Sequence, residues 1–600
     1  MSIPRPEHPR PDFMREPFLN LNGQWQFAFD DENAGLREKW MQPGRKLPMS
    51  ITVPFVYQTR LSGIGPTDDI HPILWYRRSF TVPKEMQGKR ILLHFGAVDF
   101  ECTVYVNGQM VGAHKGGYAP FSFEITHELL DGENDLCLRV VDLPDCTQPR
   151  GKQYWKTGLM GCWYTPVSGI WQTVWLEAAG ECALRHIHIT PDLDHHMATA
   201  ELALDSYPAD GMEVELKVTC GEEKIRTVRT ELTDRTMRLP IDLIVRGELN
   251  AVHVWTPDNP VLYDVQASIL LDGKVIDRVQ TYFGLRKIEV VDGIFRLNNH
   301  PLYQRLILDQ GYWPDSLITP PSDEAIQEDI RLTKAFGYNG ARKHQKMEDP
   351  RYYYWADRMG LLVWGELPSP YDFTDESVRN LADMMQDFIA RDFNHPSIIT
   401  WVPLNESWGV GQIYTDARQQ AAGRMLYELT KAADGTRLCS TNDGWEQVKT
   451  DICALHDYAA EKAVMAQHFA RRETVEKYGC DFRACYAQGV EPTGREAFMV
   501  TEYGGIAFTN IGIQEDMGGM ETWGYHDKVT DEEAFFARYK GVTDAIRELD
   551  YCQGYCYTQL TDVMQEINGL VTPDRKPKVD VERFAALNRN PDPHKDPLLE

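Results

Sequence analysis

The feature that most constrains this chain is a change of pattern near Val290. Upstream, short runs of β-forming residues are separated by turn signals; downstream, β-like runs alternate with amphipathic stretches long enough for helices. The first pattern closes into sandwiches and the second into alternating strands and helices, so one shared core cannot serve both. A chain of 600 residues has room for several domains.

Between residues 19 and 177 the runs WQFAF, RRSFTV, ILLHF, CTVYV and WQTVWLE mark an all-β sandwich. Asn107-Gly108, between TVYV and QMVG, predicts a hairpin because both residues tolerate positive φ. Residues 183–284 form a second β-rich block, of the size of an immunoglobulin-like sandwich but without the disulfide pattern of antibody domains. Beyond Val290, helices are expected at about 322–336, 377–391, 414–433 and 532–549. The first places Ile326/Ile330 and Leu332/Phe336 four residues apart, with Asp323 and Glu324 in its opening turn. This repetition predicts a closed (β/α)8 barrel, with a doubly wound sheet as the alternative. No Gly-rich phosphate loop follows a strand, which counts against a nucleotide-binding version of that alternative. The resulting division is 1–181, 182–286 and 287–600.

Composition narrows the partners. Acidic residues outnumber basic ones 89 to 62, a net charge of −27, and no basic block offsets it, so nucleic acid is not an expected partner. The opening MSIPRPEHPRPDF has no apolar signal core, and no segment approaches the roughly 18 apolar residues of a membrane span. The expectation is a soluble, cytoplasmic protein without a membrane partner. Twelve cysteines show no CxxC pair and no zinc spacing, and read as reduced, buried small hydrophobes.

In a barrel, chemistry sits just beyond the C-terminal ends of the strands. Two acids close apolar runs there: Glu406 in IITWVPLNESW and Glu502 in FMVTEYGG. Only a closed barrel would bring residues so far apart in sequence together across its mouth. Paired carboxylates can divide glycoside cleavage, one protonating the leaving oxygen and the other attacking carbon. Taken singly, either is far more readily a solvated or helix-capping acid. Their neighbours favour a site: Asn405 could bind a hydroxyl, Trp401 and Trp408 offer faces for sugars, and Gly504-Gly505 leave room near Glu502.

With these motifs the chain resembles glycoside hydrolase family 2, the family of β-galactosidases, β-glucuronidases and β-mannosidases, over nearly its full length. Leu21-Asn22-Gly23-Gln24-Trp25, Trp75-Tyr76-Arg77-Arg78, Val106-Asn107-Gly108 and Gly169-Ile170-Trp171-Gln172 look like its sandwich signatures. The resemblance implies a sugar-binding-like jelly-roll β-sandwich, an immunoglobulin-like sandwich and a C-terminal TIM barrel. It also implies a retaining mechanism, with Glu406 as acid/base and Glu502 as nucleophile. Tyr458 looks like the tyrosine that orients the nucleophile. Its phenol would keep Glu502 ionised while Glu406 stays protonated. By the same resemblance Asp309, Arg342, Lys343, His344, Glu366, His456, Tyr557 and Gln559 are candidate substrate-binding residues, beside Trp401 and Asn405. Several relatives have Trp where Tyr557-Thr558-Gln559 closes the last strand, and the spacing of Arg342 and His344 also departs from theirs.

Asn568-Gly569-Leu570 stands where many β-glucuronidases carry the Asn-x-Lys pair that reads a carboxylate. The expected activity is therefore exo-acting β-glycoside hydrolysis with β-galactoside-like substrates ahead of uronides. A uronidase reading its carboxylate through Arg342, Lys343 or Lys346 is one alternative, and a noncatalytic carbohydrate-binding protein is another. No metal or other cofactor is expected, because no acid/His cluster has ligand spacing; a homo-oligomer is possible.

Overall fold

The computed structural model describes residues 3–245, 251–480, 483–509 and 521–589. The N-terminal domain is a jelly-roll-type sandwich of two antiparallel sheets, one of four strands and one of six. Leu93, Phe95 and Leu176 from the first interdigitate with Trp25, Phe27, Tyr76 and Leu138 from the second. The predicted hairpin forms: Asn107 and Gly108, at φ 51° and 80°, join Glu101–Val106 to Gln109–Lys115. The next domain packs a three-stranded sheet on a four-stranded one, with Ile187 and Leu202 facing Leu216 and Val265. All twelve cysteines are free thiols.

The barrel strands are β1 (Gln304–Asp309), β2 (Gly340–Lys343), β3 (Leu362–Glu366), β4 (Ile398–Val402), β5 (Leu438–Cys439), β6 (Ile452–Asp457), β7 (Ala497–Gly504) and β8 (Cys552–Thr558). They pair in parallel in the order β5-β4-β3-β2-β1-β8-β7-β6, a nearly closed ring. The remaining seam carries a hydrogen bond from Asp451 N to Cys439 O, 2.9 Å. Around the ring lie α1 (Asp323–Ala335), α2 (Pro350–Met359), α3 (Asp375–Asp392), α4 (Ala417–Ala433), α5 (Lys462–His468), α6 (Arg472–Tyr478), α7 (Glu532–Arg547) and α8 (Val581–Asn588). Local chemistry sets their starts: Ser322 caps α1, and Thr374 with Ser377 forms a reciprocal capping box on α3. Among the described residues no helix is long and apolar enough to cross a membrane.

Side chains alternate along each barrel strand. Leu306, Leu308, Trp364, Ala454, Met499 and Cys556 fill the interior cluster, whereas Ile307, Val363, Trp401, Leu455, Val500 and Tyr557 pack in the cluster shared with the helices. This alternation sorts the candidate residues.

Candidate active site

Past β4, Leu404–Asn405 pairs in parallel with Asn442–Asp443. Glu406 and Ser407 then take φ of 50° and 59°, a left-handed conformation that costs a non-glycine residue about 1–3 kcal/mol. The turn is held by Glu406 N donating to Asp443 O at 2.8 Å and Ser407 N to Asn442 Oδ1 at 2.9 Å. On the facing wall a bulge sets Leu455 opposite Val500 but His456 opposite Glu502. The extra residue, Thr501, brings the Glu502 carboxylate beside the imidazole.

His456 stands between the two acids. Its Nδ1 is 2.8 Å from Glu406 Oε1, and its Nε2 is 2.8 Å from Asp443 Oδ1 and 3.6 Å from Glu502 Oε1. Burial alone would lower its pKa, but Glu502, Asp443 and Glu406 outweigh that and push it up to about 10. Burial likewise raises Glu406, yet the His456 cation, with Lys152 and Arg342, holds it below the usual carboxylate range. The proton expected on Glu406 therefore resides on its neighbour, and the pair holds one proton between them. Gly444 (φ 111°) permits this packing, because a Cβ there would lie 2.9 Å from the imidazole ring.

Arg342, fully buried, organises the acids from the barrel interior. It donates to Glu366 Oε2 at 2.7 Å, Glu502 Oε1 at 2.9 Å and Asn405 Oδ1 at 2.6 Å, and lies 3.1 Å from Asp443. Tyr458 OH donates to Glu502 Oε2 in a short hydrogen bond, and its ring stacks on Tyr525 at 3.4 Å between centroids. Glu366 is raised by burial, with Arg342 opposing, to about 6; it also lies 3.1 Å from His344 Nδ1. His344 is held neutral by burial and by the positive charge of Lys152.

Several candidates lie elsewhere. Trp401, expected to face sugar, is fully buried behind β4, 5.0 Å from Phe388 of α3, and its Nε1 donates to Asp434 Oδ2. Tyr557 likewise points outward, 4.9 Å from Tyr539 of α7. Lys343 and Asp309 are joined at 2.8 Å, and Glu348 ties Lys343 to Lys346 at 3.0 and 2.9 Å, so these groups serve a buried ion chain. Gln559 donates to Asn568 Oδ1 at 2.7 Å, and His456 is engaged by carboxylates instead of facing substrate. An outward-facing position removes Trp401 and Tyr557 from the pocket, and ion pairs give Lys343 and Asp309 partners within the fold; neither shows in sequence spacing.

Other residues at the site went unread in the sequence. Asp443 follows the two-residue strand β5, too short to register as an apolar run. Residues 150–165 of the N-terminal sandwich also form part of the wall. Arg150 N and Gly151 N donate to Ser369 O, Trp523 Nε1 donates to Gly161 O at 2.6 Å, and Trp163 packs 4.9 Å from Trp408. Tyr164 OH donates to Glu566 Oε2 at 2.6 Å. Their contribution depends on interdomain docking, for which one sequence carries no periodic signal.

One ligand atom each from Glu406, His456 and Glu502 lies within 4.8 Å of the others, a spacing that could hold a cation. The sequence predicts no acid/His cluster with ligand spacing; here His456 meets Glu406 through Nδ1 and Asp443 through Nε2, each at 2.8 Å. Two close carboxylates that share a proton with a histidine suit acid/base and nucleophilic chemistry at one carbon.

The comparisons agree with this architecture. "Glycosyl hydrolases family 2, sugar binding domain" matches residues 18–176, "Glycosyl hydrolases family 2" matches 182–286, and the family's "TIM barrel domain" matches 288–587. A β-galactosidase of Thermoanaerobacter pseudethanolicus is 27% identical over 72% of this chain and 57% of its own length. A β-glucuronidase of Paenibacillus borealis is 25% identical over 66% of this chain and 69% of its own. The chain thus spans little more than half of the first of these relatives. Among solved structures, a Bifidobacterium dentium β-glucuronidase superposes with a TM-score of 0.78 at 21% identity, covering 96% and 97% of the two chains. A Ruminococcus gnavus β-glucuronidase gives 0.77 at 19%, covering 95% and 97%. With all three domains matched in order, the chain belongs to glycosyl hydrolase family 2.

Proposed function

We propose that this protein is a retaining exo-β-glycosidase that removes terminal neutral sugars, β-galactoside-like substrates ahead of uronides. Glu502 attacks the anomeric carbon and forms the glycosyl ester; Glu406 protonates the departing oxygen and then deprotonates the attacking water. The observation that carries this reading is the approach of the two carboxylates, with oxygens within 4.8 Å. An approach this close is compatible with the roughly 5–5.5 Å between carboxyl groups in retaining enzymes. The proton shared with His456 suits both half-reactions: Glu406 is an acid when it holds the proton and a base when His456 does.

The preference for a neutral sugar rests on this chain's own residues, since its relatives carry both names. Leu570 is fully buried, and the cations proposed as substitutes for the missing Asn-x-Lys pair are committed elsewhere. Lys343 and Lys346 are bound to Glu348, and Arg342 to Glu366 and Glu502. A carboxylate bound without such a partner forgoes a charge-assisted hydrogen bond of roughly 1.5–3 kcal/mol. The test is kcat/KM on p-nitrophenyl β-galactoside, β-glucuronide and β-galacturonide, with the galactoside expected to be fastest. A clear preference for either uronide would overturn the sugar assignment and leave the two-glutamate chemistry standing.

A further inference from the structure

Four lysines are buried among the described residues: Lys152, Lys343, Lys346 and Lys578. Three are paired with acids, Lys343 with Asp309, Lys346 with Glu348 and Lys578 with Asp562, at 2.8–2.9 Å. Lys152, 8% exposed, forms no ion pair within 4 Å among the described residues and hydrogen-bonds the Cys162 thiol instead. Its Nζ stands 5.4 Å from the ring centroid of Trp408, two residues past Glu406.

Its position is fixed by the backbone. Gly151, at φ 60°, presses so close to the barrel that a Cβ would lie 2.2 Å from Gln345 O. Tyr164 N donates to Lys152 O at 2.8 Å, and the phenol of the same tyrosine donates to Glu566 Oε2 at 2.6 Å. One residue therefore ties the cation to an acid beyond β8. Glu566 is 3% exposed and also accepts from Asn568 Nδ2 at 3.0 Å. Burial opposes charge on Lys152, but Cys162, Glu566, Glu502 and Glu406 together raise its pKa, so it remains an ammonium.

We propose that Lys152, carried into the barrel mouth by the N-terminal sandwich, and Glu566 form a donor–acceptor pair that binds hydroxyls of an uncharged glycone. An ammonium removed from water needs acceptors for its three N–H groups, and the Cys162 thiol, a weak acceptor, can meet only one of them. A sugar hydroxyl can accept from the lysine and donate to the glutamate. A uronate carboxylate can only accept, and beside Glu566, whose pKa burial already raises, it would place a second acid in the same buried site. The pair is thus a specificity device built across two domains, and it rests on the neutral-sugar reading above.

The test compares full-length wild type with Lys152→Met, Lys152→Arg and Glu566→Gln on p-nitrophenyl β-galactoside and β-glucuronide, with thermal midpoints measured alongside. Lys152→Met is expected to lower kcat/KM on the galactoside roughly 10- to 100-fold, mainly through KM, with partial recovery in Lys152→Arg. Glu566→Gln is expected to raise the glucuronide-to-galactoside ratio at least about fivefold. The pair is refuted if Lys152→Met, or Lys152→Arg should the former not fold, stays within about threefold of wild type on the galactoside. It is refuted equally if the loss appears with disaccharides but not with aryl glycosides, because the contact would then lie on the leaving group. Failure of the neutral-sugar reading is seen in wild type alone, as preference for the glucuronide; failure of the pair is seen in the ratio of variant to wild type.

Discussion

Removing the Tyr458 hydroxyl isolates one contact to the proposed nucleophile. In Tyr458→Phe the ring keeps its stack on Tyr525, 3.4 Å between centroids at an interplanar angle of 3°, so the backbone and neighbouring walls have little cause to move. Glu502 keeps the Arg342 contact at 2.9 Å and loses the phenol on its other oxygen. The hydroxyl also lies 3.3 Å from Thr558 Oγ1, a weak contact whose partner is a small neutral group. The loss is thus one charge-assisted hydrogen bond, roughly 1.5–3 kcal/mol. If that bond aligns the attacking oxygen in the transition state, kcat/KM should fall roughly 10- to 150-fold, with kcat carrying most of the drop. Initial rates on an aryl β-galactoside, with thermal midpoints as the control for folding, measure it. A change below about twofold, or one confined to KM, would refute the argument that Tyr458 positions the nucleophile.

Three further outcomes follow from the same geometry. Glu502→Ala should abolish turnover, and azide should restore it with formation of a glycosyl azide of inverted configuration; normal turnover without azide would remove Glu502 as nucleophile. Glu406→Gln should slow glycosides with poor leaving groups far more than activated aryl glycosides, since only the former need a delivered proton, and equal losses on both would contradict the acid role. His456, raised in the fold to about 10, should stabilise the protein fully below its unfolded pKa of about 6.5, and that contribution should be lost as pH rises toward 10. The gap in thermal midpoint between wild type and His456→Asn should therefore narrow across that window; a constant gap would show that the imidazole is not held charged.

The sequence by itself determined the order of the three domains, the hairpin at Asn107-Gly108, the apolar face and acidic first turn of α1, and the pair Glu406 and Glu502 at strand ends. These depend on local physics: side-chain periods of 2 and 3.6, tolerance of positive φ, and acids near the positive end of a helix. The tertiary structure decided which candidates reach the pocket. Arg342 and Lys343 are adjacent in sequence, yet one holds Glu502 inside the barrel while the other joins Asp309 and Glu348. Trp401 lies five residues from Glu406 and packs behind the sheet, because strand alternation and barrel closure, not proximity in sequence, determine which way a side chain faces. Lys152 and Tyr164 come from another domain altogether, and Asp443 from a strand of two residues, Asn442–Asp443. Such placements arise when distant surfaces dock and bury one another, an interaction summed over the whole fold that leaves no periodic trace near the residues it brings together.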